Sequence, residues 1–173
     1  MSYGMSQLYF SIRTWATLAL GLWMASMATA PLSAQESRSL AFSAGAFNFN
    51  KDPTVLEAGI EYRHPINVWK LAVAGGLTAN VDGALYVFGG LRRDFKLGGP
   101  WLITPGFGIA LYEKGDSKDL GGLVEFRSAL EIGHQWPSRH RLAFAIYHLS
   151  NAGIHDLNPG SNSLILTYSL PLK

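Results

Sequence analysis

The sequence predicts an all-β protein, built as an eight-stranded antiparallel transmembrane β-barrel. Three observations support this class. Apolar and polar residues alternate with a period of two, turn-forming residues divide the chain into segments of roughly ten residues, and a candidate export signal precedes them. After residue 34, no apolar run approaches the length of about 20 residues that a membrane-spanning helix needs.

Residues 1–34 are predicted to be a signal peptide that is removed on export. They contain one charged residue, Arg13, followed by the apolar run 15–25 and then by small residues. The Leu-Ser-Ala sequence at 32–34 fits a small-residue cleavage site. The apolar run is too short for a membrane anchor. We therefore expect a cleaved segment, 1–34, and an outer-membrane barrel domain, 35–173.

The composition excludes several kinds of chemistry. The chain has no cysteine, so it has no disulfide, no thiolate nucleophile and no thiolate metal site. The five histidines show no metal-ligand spacing, and neither a metal nor a cofactor is predicted. The formal net charge is +2 with both signs interspersed, which gives no indication of a nucleic-acid partner.

The alternation is clearest in two segments that carry charges on one face. In 55–63, one face is apolar, whereas the other carries Glu57, Glu61 and Arg63. In 124–132, the second face carries glutamate and arginine in the same way. Residues two apart on a strand point to the same side. Strands with one apolar and one charged face predict a barrel with lipid outside and paired charges inside.

The same pattern recurs along the chain between turn signals. Strands are predicted near 39–49, 55–64, 68–80, 84–95, 101–113, 123–135, 140–150 and 163–172. Aromatic residues mark many strand ends, as the two interfacial girdles of a membrane barrel require. The alternative is a soluble barrel of the lipocalin type, with an apolar interior and a polar exterior. The even strand count and the candidate export signal favour the membrane barrel.

Basic residues cluster near two of the predicted strand ends. They are Arg92, Arg93, Lys96, Arg139 and Arg141. Two interpretations stay open. The cluster binds lipid phosphates, or its members are interfacial charges whose long side chains reach the headgroup region.

The stretch YHLSNAGIHDLNPGSNS, residues 147–163, concentrates polar side chains near the C-terminus. His148 and Ser150 share the parity of the apolar set in their strand, and Asn162 shares the parity of the apolar set in the last strand. All three are therefore predicted to lie on the outer face, near the rim. An enzyme that acts on a membrane lipid would place its reactive groups there, whereas a pore would place them inside.

This combination of residues fits nucleophilic catalysis. A serine hydroxyl is a weak nucleophile until a base takes its proton, and histidine is the usual base. Asn151 and Asn158 are close enough in sequence to donate to an oxyanion. The alternative is a polar hairpin rim in which the asparagines serve only as turn residues.

The run FAIYHLSNAGIHDLNPG resembles the lipid A 3-O-deacylase family, PagL, whose mark is a His-x-Ser-Asn segment followed by an Asn-Pro-Gly turn. The resemblance implies that His148 is the catalytic base, Ser150 the nucleophile, and Asn151 and Asn158 site residues, with Asn158 tied to the oxyanion hole. It also implies hydrolysis of the ester-linked acyl chain at the 3-position of lipid A in lipopolysaccharide, without a metal or cofactor. A homodimer is implied as a possible assembly.

One position departs from the family pattern. The family has a glutamate shortly after the Asn-Pro-Gly turn, where this chain has Asn162, and no Asp or Glu follows Asp156. Three interpretations remain open: Asn162 orients His148 through its carbonyl oxygen, Asp156 takes the place of the acid, or catalysis is impaired. Two other classes also remain, a non-enzymatic barrel of the same fold and a narrow channel, although side chains normally fill a lumen of eight strands.

Overall fold

The computed structural model describes residues 37–173, and the predicted signal peptide lies outside the described residues. All the regular structure in this part of the chain is β. The strands are β1 (Ser39–Phe47), β2 (Val55–Pro65), β3 (Ala72–Asn80), β4 (Leu85–Arg92), β5 (Phe95–Gly98), β6 (Trp101–Glu113), β7 (Val124–Gln135), β8 (Arg141–Ser150) and β9 (Ser161–Pro171). No helix within residues 37–173 is long and apolar enough to cross a membrane.

The strands close into one antiparallel barrel. Each strand pairs with its neighbour in sequence except that β4 pairs with β6 instead of β5, and β1 also pairs with β9. Because β4 and β5 both pair with β6, they form a single interrupted strand. The prediction of an eight-stranded antiparallel barrel is confirmed.

The interruption between β4 and β5 has a cause in the opposite strand. The register pairs Arg92 with Gly106 and Phe95 with Ile103, so Arg93 lies opposite Pro105. The Arg93 N–H donates to the Pro105 carbonyl at 3.1 Å. Proline has no N–H to return a hydrogen bond to the same neighbour, and the ladder therefore breaks at this point.

One predicted boundary was wrong. The third strand was expected to begin at 68, but β3 begins at Ala72. Trp69 and Lys70 have φ angles of 49° and 53°, and the Ile66 N–H donates to the Leu71 carbonyl at 2.8 Å. Left-handed backbone of this kind belongs to a turn, not to a strand.

The outer wall is apolar, as the alternation predicts. Leu56 of β2 is 68% exposed and Phe144 of β8 is 62% exposed, because both point outward from their strands. Their sequence neighbours Glu57 and Ala143 are buried in the interior. A continuous apolar exterior around a charged interior is the pattern of a barrel solvated by lipid, and the reverse of a lipocalin.

The interior is held together by ion pairs that span the lumen. Glu131 accepts from Arg63 at 2.8 and 3.1 Å, from Arg92 at 2.8 Å and from the Tyr147 hydroxyl at 3.0 Å. Arg92 also donates to Glu61 at 2.7 Å. These side chains are almost fully buried, so each charge is compensated by its partners rather than by water.

The two interpretations of the basic cluster therefore fail for two of its members. Arg92 and Arg141 point into the barrel, where Arg92 pairs with Glu61 and Glu131, and Arg141 pairs with Asp94. Neither is an interfacial or phosphate-binding residue. The sequence showed that basic residues lie near strand ends, but it did not show which of them face inward.

Removal of the central carboxylate should destabilise the barrel. Glu131→Gln keeps the shape of the side chain but removes one of the two carboxylates, Glu61 and Glu131, that Arg63 and Arg92 share. The loss of one partner from a buried ion pair typically costs about 3–5 kcal/mol. We expect a loss of this size in urea unfolding in lipid vesicles. Glu113→Gln, at the exposed end of β6, is the control. Equal unfolding free energies for the two variants would contradict the role of the network.

The up-and-down order of the strands places the start of β1 and the end of β9 at one end of the barrel. The connections 48–54, 81–84, 114–123 and 151–160 lie at the opposite end. We call this the loop end. The C-terminal end of β8 and the N-terminal end of β9 meet there, which places the polar stretch of the sequence at the rim.

Candidate active site

His148 and Ser150 lie near the C-terminal end of β8, on the outer wall. The side chains of β8 alternate strictly, and both residues have the parity of the exposed Leu142, Phe144 and Ile146. Both are half-buried, whereas Tyr147 and Leu149 point into the barrel. The parity derived from the sequence therefore corresponds to the structure.

Asn162 lies directly across from His148 on β9. The two are Cα partners in the β8–β9 register, and His148 Nδ1 is 2.8 Å from Asn162 Oδ1. An amide oxygen only accepts hydrogen bonds, so Nδ1 carries the proton in this contact. The neutral ring then has a free lone pair on Nε2. This is the tautomer that a general base needs.

Ser150 is two residues beyond His148 on the same strand and has Phe126 of β7 as its cross-strand partner. Within residues 37–173, no hydrogen bond joins Ser150 to His148. Such contacts are commonly loose before a substrate binds. The structure also brings a second serine to the ring, because Ser128 of β7 is the other cross-strand partner of His148. No sequence pattern indicated this neighbour, because its position depends on the β7–β8 register.

The two remaining predicted site residues shape the loop that follows β8. Asn151 is completely buried, and its Nδ2 donates to the carbonyls of Leu120 at 3.0 Å and Leu157 at 2.8 Å. Its Oδ1 accepts from the Gly153 N–H at 3.0 Å. Asn158 is exposed, and its Oδ1 accepts from the Asn151 N–H at 3.1 Å. The amide hydrogens of Asn151 are thus committed to the loop, while those of Asn158 make no hydrogen bond among the described residues.

Loop 151–160 interlocks with loop 114–123 of the preceding hairpin. A side chain at Gly121 would overlap the Leu157 carbonyl oxygen, and one at Gly122 would overlap the His155 ring. Gly121 has a φ of 96°, which favours glycine. Between these contacts, Leu120 is buried in the barrel mouth. The backbone around Asn158 is therefore held by close packing against a second loop.

A lysine clasp supports the other side of the histidine ring. Lys118 Nζ donates to the Gly160 carbonyl at 2.6 Å and to Asn48 Oδ1 at 2.8 Å. A Cβ at Gly160 would lie 3.1 Å from His148 Cε1, so this glycine packs against the imidazole. Burial lowers the pKa of Lys118, and the neighbouring charge of Lys51 lowers it further. The clasp joins three of the four loops at the loop end.

Asp156, the other candidate for the third member of the triad, makes no hydrogen bond or ion pair with His148 among the described residues. Asp156 is exposed in loop 151–160, whereas His148 Nδ1 is occupied by Asn162. Within residues 37–173, no three His, Asp or Glu side chains are grouped closely enough to hold a metal ion. The arrangement places an imidazole, a hydroxyl and amide groups on one wall, and these are the kinds of group that nucleophilic acyl transfer requires.

The fold and the site together define an outer-membrane type of β-barrel with a serine–histidine pair on its lipid-facing wall. A family model described as lipid A 3-O-deacylase (PagL) matches residues 45–171. The chain belongs to this family, as the resemblance in residues 144–162 implied. It matches none of the curated proteins.

Solved structures support the fold. The crystal structure of the outer membrane enzyme PagL is similar with a TM-score of 0.66 at 19% identity, over 78% of this chain and 99% of that one. A de novo designed transmembrane β-barrel has a TM-score of 0.57 at 9% identity, over 82% and 100%. Neisserial surface protein A has a TM-score of 0.53 at 15% identity, over 78% and 96%.

Proposed function

We propose that this protein is a serine-type lipid A 3-O-deacylase of the outer membrane. The observation that carries the proposal is the 2.8 Å contact between His148 and Asn162 on the lipid-facing wall, beside Ser150. Polar groups on such a wall are costly unless they lie at the interface or have a function. A site at the rim faces the headgroup region, where the sugar of lipid A would lie.

The first half of the reaction forms an acyl-enzyme. His148 Nε2 takes the proton of the Ser150 hydroxyl, and Oγ attacks the carbonyl carbon of the ester at the 3-position. The tetrahedral oxyanion then collapses, and the bond between the carbonyl carbon and the sugar oxygen breaks. The sugar oxygen leaves with the proton that His148 had taken. The acyl chain is now esterified to Ser150.

The second half returns the enzyme to its initial state. His148 takes a proton from water, and the hydroxide attacks the acyl-enzyme carbonyl. Collapse releases the fatty acid, and Ser150 Oγ recovers its proton from His148. No metal or cofactor is required in either half. The products are a free 3-hydroxy fatty acid and lipid A with a free 3-hydroxyl.

Amide groups would stabilise the oxyanion in both halves. The uncommitted Nδ2 group of Asn158 supports a direct role as donor. Asn151 instead supports the site by fixing loop 151–160, because its own Nδ2 is bound to Leu120 and Leu157. Of the backbone N–H groups that follow Ser150, that of Ala152 completes the donor set, because those of Asn151 and Gly153 already donate to the side chains of Asn158 and Asn151. Asn162 is the third member, and it orients His148 through its carbonyl oxygen.

Two predictions about processing and assembly accompany this function. Residues 1–34 are removed on export, which the mass of the protein isolated from outer membranes would test. A homodimer is the assembly that the family resemblance implies, and analytical ultracentrifugation in detergent would test it.

The experiment for the proposal uses purified protein in detergent micelles with lipid A as substrate. Mass spectrometry should show the loss of one 3-hydroxyacyl chain from the 3-position and the appearance of the matching free acid. Addition of EDTA should not change the rate. Lipid A that stays intact with correctly folded protein would contradict the proposal and favour a non-enzymatic barrel of the same fold.

The interlock of the two loops gives a further prediction. Gly121→Ala should lower kcat on the order of 100-fold, because a displacement of about 1 Å at a site has an effect of this size. The added methyl group would push the Leu157 carbonyl away and move Asn158 with it. Gly153→Ala is the control, since Gly153 also has a positive φ, 80°, but open space around it. If both variants lose activity to the same extent, backbone strain at a positive φ explains the loss, and displacement of the loop does not.

A further inference from the structure

An asparagine as the third member of a serine–histidine triad has an orientation problem that a glutamate does not have. A carboxylate presents two oxygens, so either one accepts from His148 Nδ1. An amide presents one acceptor and one donor in nearly the same shape. When it is rotated by half a turn, Nδ2 faces His148 Nδ1 and donates to it. The ring proton then belongs on Nε2, and the base is lost. An active site with Asn162 therefore needs a group that fixes the direction of the amide.

Asn50, in the loop between β1 and β2, is in the position to do this. Asn162 Nδ2 donates to Asn50 Oδ1 at 3.2 Å, while Asn162 Oδ1 faces His148. We infer that Asn50 is a positioning residue: with its Oδ1 toward Asn162 it accepts from Asn162 Nδ2, and the Asn162 amide then has the orientation that leaves His148 Nε2 free as a base. The inference rests on the proposed function, because the orientation matters for catalysis only if His148 is the base.

The backbone around Asn50 is fixed by its own contacts. The Phe49 N–H donates to the backbone carbonyl of Asn162 at 3.1 Å, which docks the loop on the same residue. Asn48 is 1% exposed, and its Nδ2 donates to the Lys51 and Pro53 carbonyls at 3.1 Å each. Its Oδ1 accepts from Lys118, whose ammonium group also binds the Gly160 carbonyl. These contacts fix the backbone of Asn50 beside Asn162, and the Asn50 side chain itself is exposed.

The test measures the tautomer of His148 directly. Protein labelled with ¹⁵N-histidine is studied by NMR in detergent micelles, where the chemical shifts distinguish protonated from unprotonated ring nitrogens. His148→Gln assigns the signals among the five histidines. We expect the proton on Nδ1 in the parent. Asn50→Asp should keep it there, because a carboxylate only accepts and selects the same Asn162 orientation. Asn50→Leu should change the ratio of tautomers toward Nε2–H by about fivefold, the effect of one net hydrogen bond.

The same substitution in an Asn162→Glu background is the matched control. A carboxylate at 162 has no wrong orientation, so Asn50→Leu should leave the tautomer unchanged there. A residue that only supported the loop would disturb both backgrounds equally. An unchanged tautomer in the single Asn50→Leu variant, or equal changes in both backgrounds, would overturn the inference.

Kinetics complete the test. Asn50→Leu should lower kcat on lipid A by about fivefold and leave KM unchanged, and Asn50→Asp should restore kcat. Because the NMR measurement uses protein without substrate, it stands apart from the proposed activity. A tautomer change in a protein that does not hydrolyse lipid A would refute the proposed function and support the positioning role. An unchanged tautomer in an active enzyme would refute only the positioning role.

Discussion

Replacement of Ser150 with alanine is expected to lower the turnover of lipid A by on the order of 10⁶. Loss of the nucleophile has an effect of this size in a serine protease with the same chemistry. The methyl group of alanine provides no oxygen to carry the acyl chain, so the double-displacement route is closed. The barrel itself should be unaffected, because Ser150 is half-buried on the outer wall and takes no part in the interior ion pairs. The measurement is the rate of release of free 3-hydroxy fatty acid by purified protein.

The structure offers a matched control for this experiment. Ser128 lies on the same outer wall, directly across from His148 on β7, and it is also half-buried. Ser128→Ala removes the same atom from the other side of the ring. It should keep turnover within a few-fold of the parent. If Ser128→Ala abolished turnover and Ser150→Ala did not, the assignment of the nucleophile would be wrong.

The second large effect is expected at Asn162. Asn162→Leu keeps the approximate size of the side chain but removes the oxygen that accepts from His148 Nδ1. The ring then loses both its tautomer preference and its orientation. Removal of the third member reduces kcat by on the order of 10⁴ in subtilisin, where that member is a carboxylate. We expect a loss of up to this size, measured with the same fatty-acid release assay.

Asn162→Glu should act in the opposite direction. A carboxylate accepts from Nδ1 as the amide does, and its charge also stabilises the imidazolium that forms during each proton transfer. Turnover should therefore rise above that of the parent. A leucine variant as active as the parent would contradict the role of Asn162, and would restore Asp156 as the candidate for the third member.

Much of the fold followed from the alternation of side chains, because burial against lipid fixes which face of a strand is apolar. Leu56 and Glu57 were assigned to opposite faces from parity alone, and the structure confirms this assignment. Two features did not follow. Pro105 interrupts the strand opposite it, and this interruption could be predicted only with knowledge of the register between the strands. Arg92 and Arg141 enter the lumen, and this could be predicted only with knowledge of where each residue lies relative to its strand end.

The site was predictable to the extent that it is local in sequence. His148 and Ser150 are two residues apart, and Asn162 follows after one hairpin, so the parity of the strands placed all three on the same wall. Asn50 and Lys118 come from other loops, and their contacts with Asn162 and Gly160 span 112 and 42 residues. No short pattern encodes such contacts. The contact of Asn50 depends on closure of the barrel, which brings β1 against β9, and the contact of Lys118 depends on the pairing of β7 with β8.

Mass spectrometry of lipid A from Gram-negative cells that express this chain would test the central claim most directly, since it examines the protein in an outer membrane that contains lipid A. The parent, Ser150→Ala and Asn162→Glu proteins would be compared at equal levels of folded barrel. We predict that lipid A loses one 3-hydroxyacyl chain with the parent and with Asn162→Glu, and stays intact with Ser150→Ala. Intact lipid A with the parent, and loss only with Asn162→Glu, would contradict an active site built on asparagine and indicate a disabled deacylase.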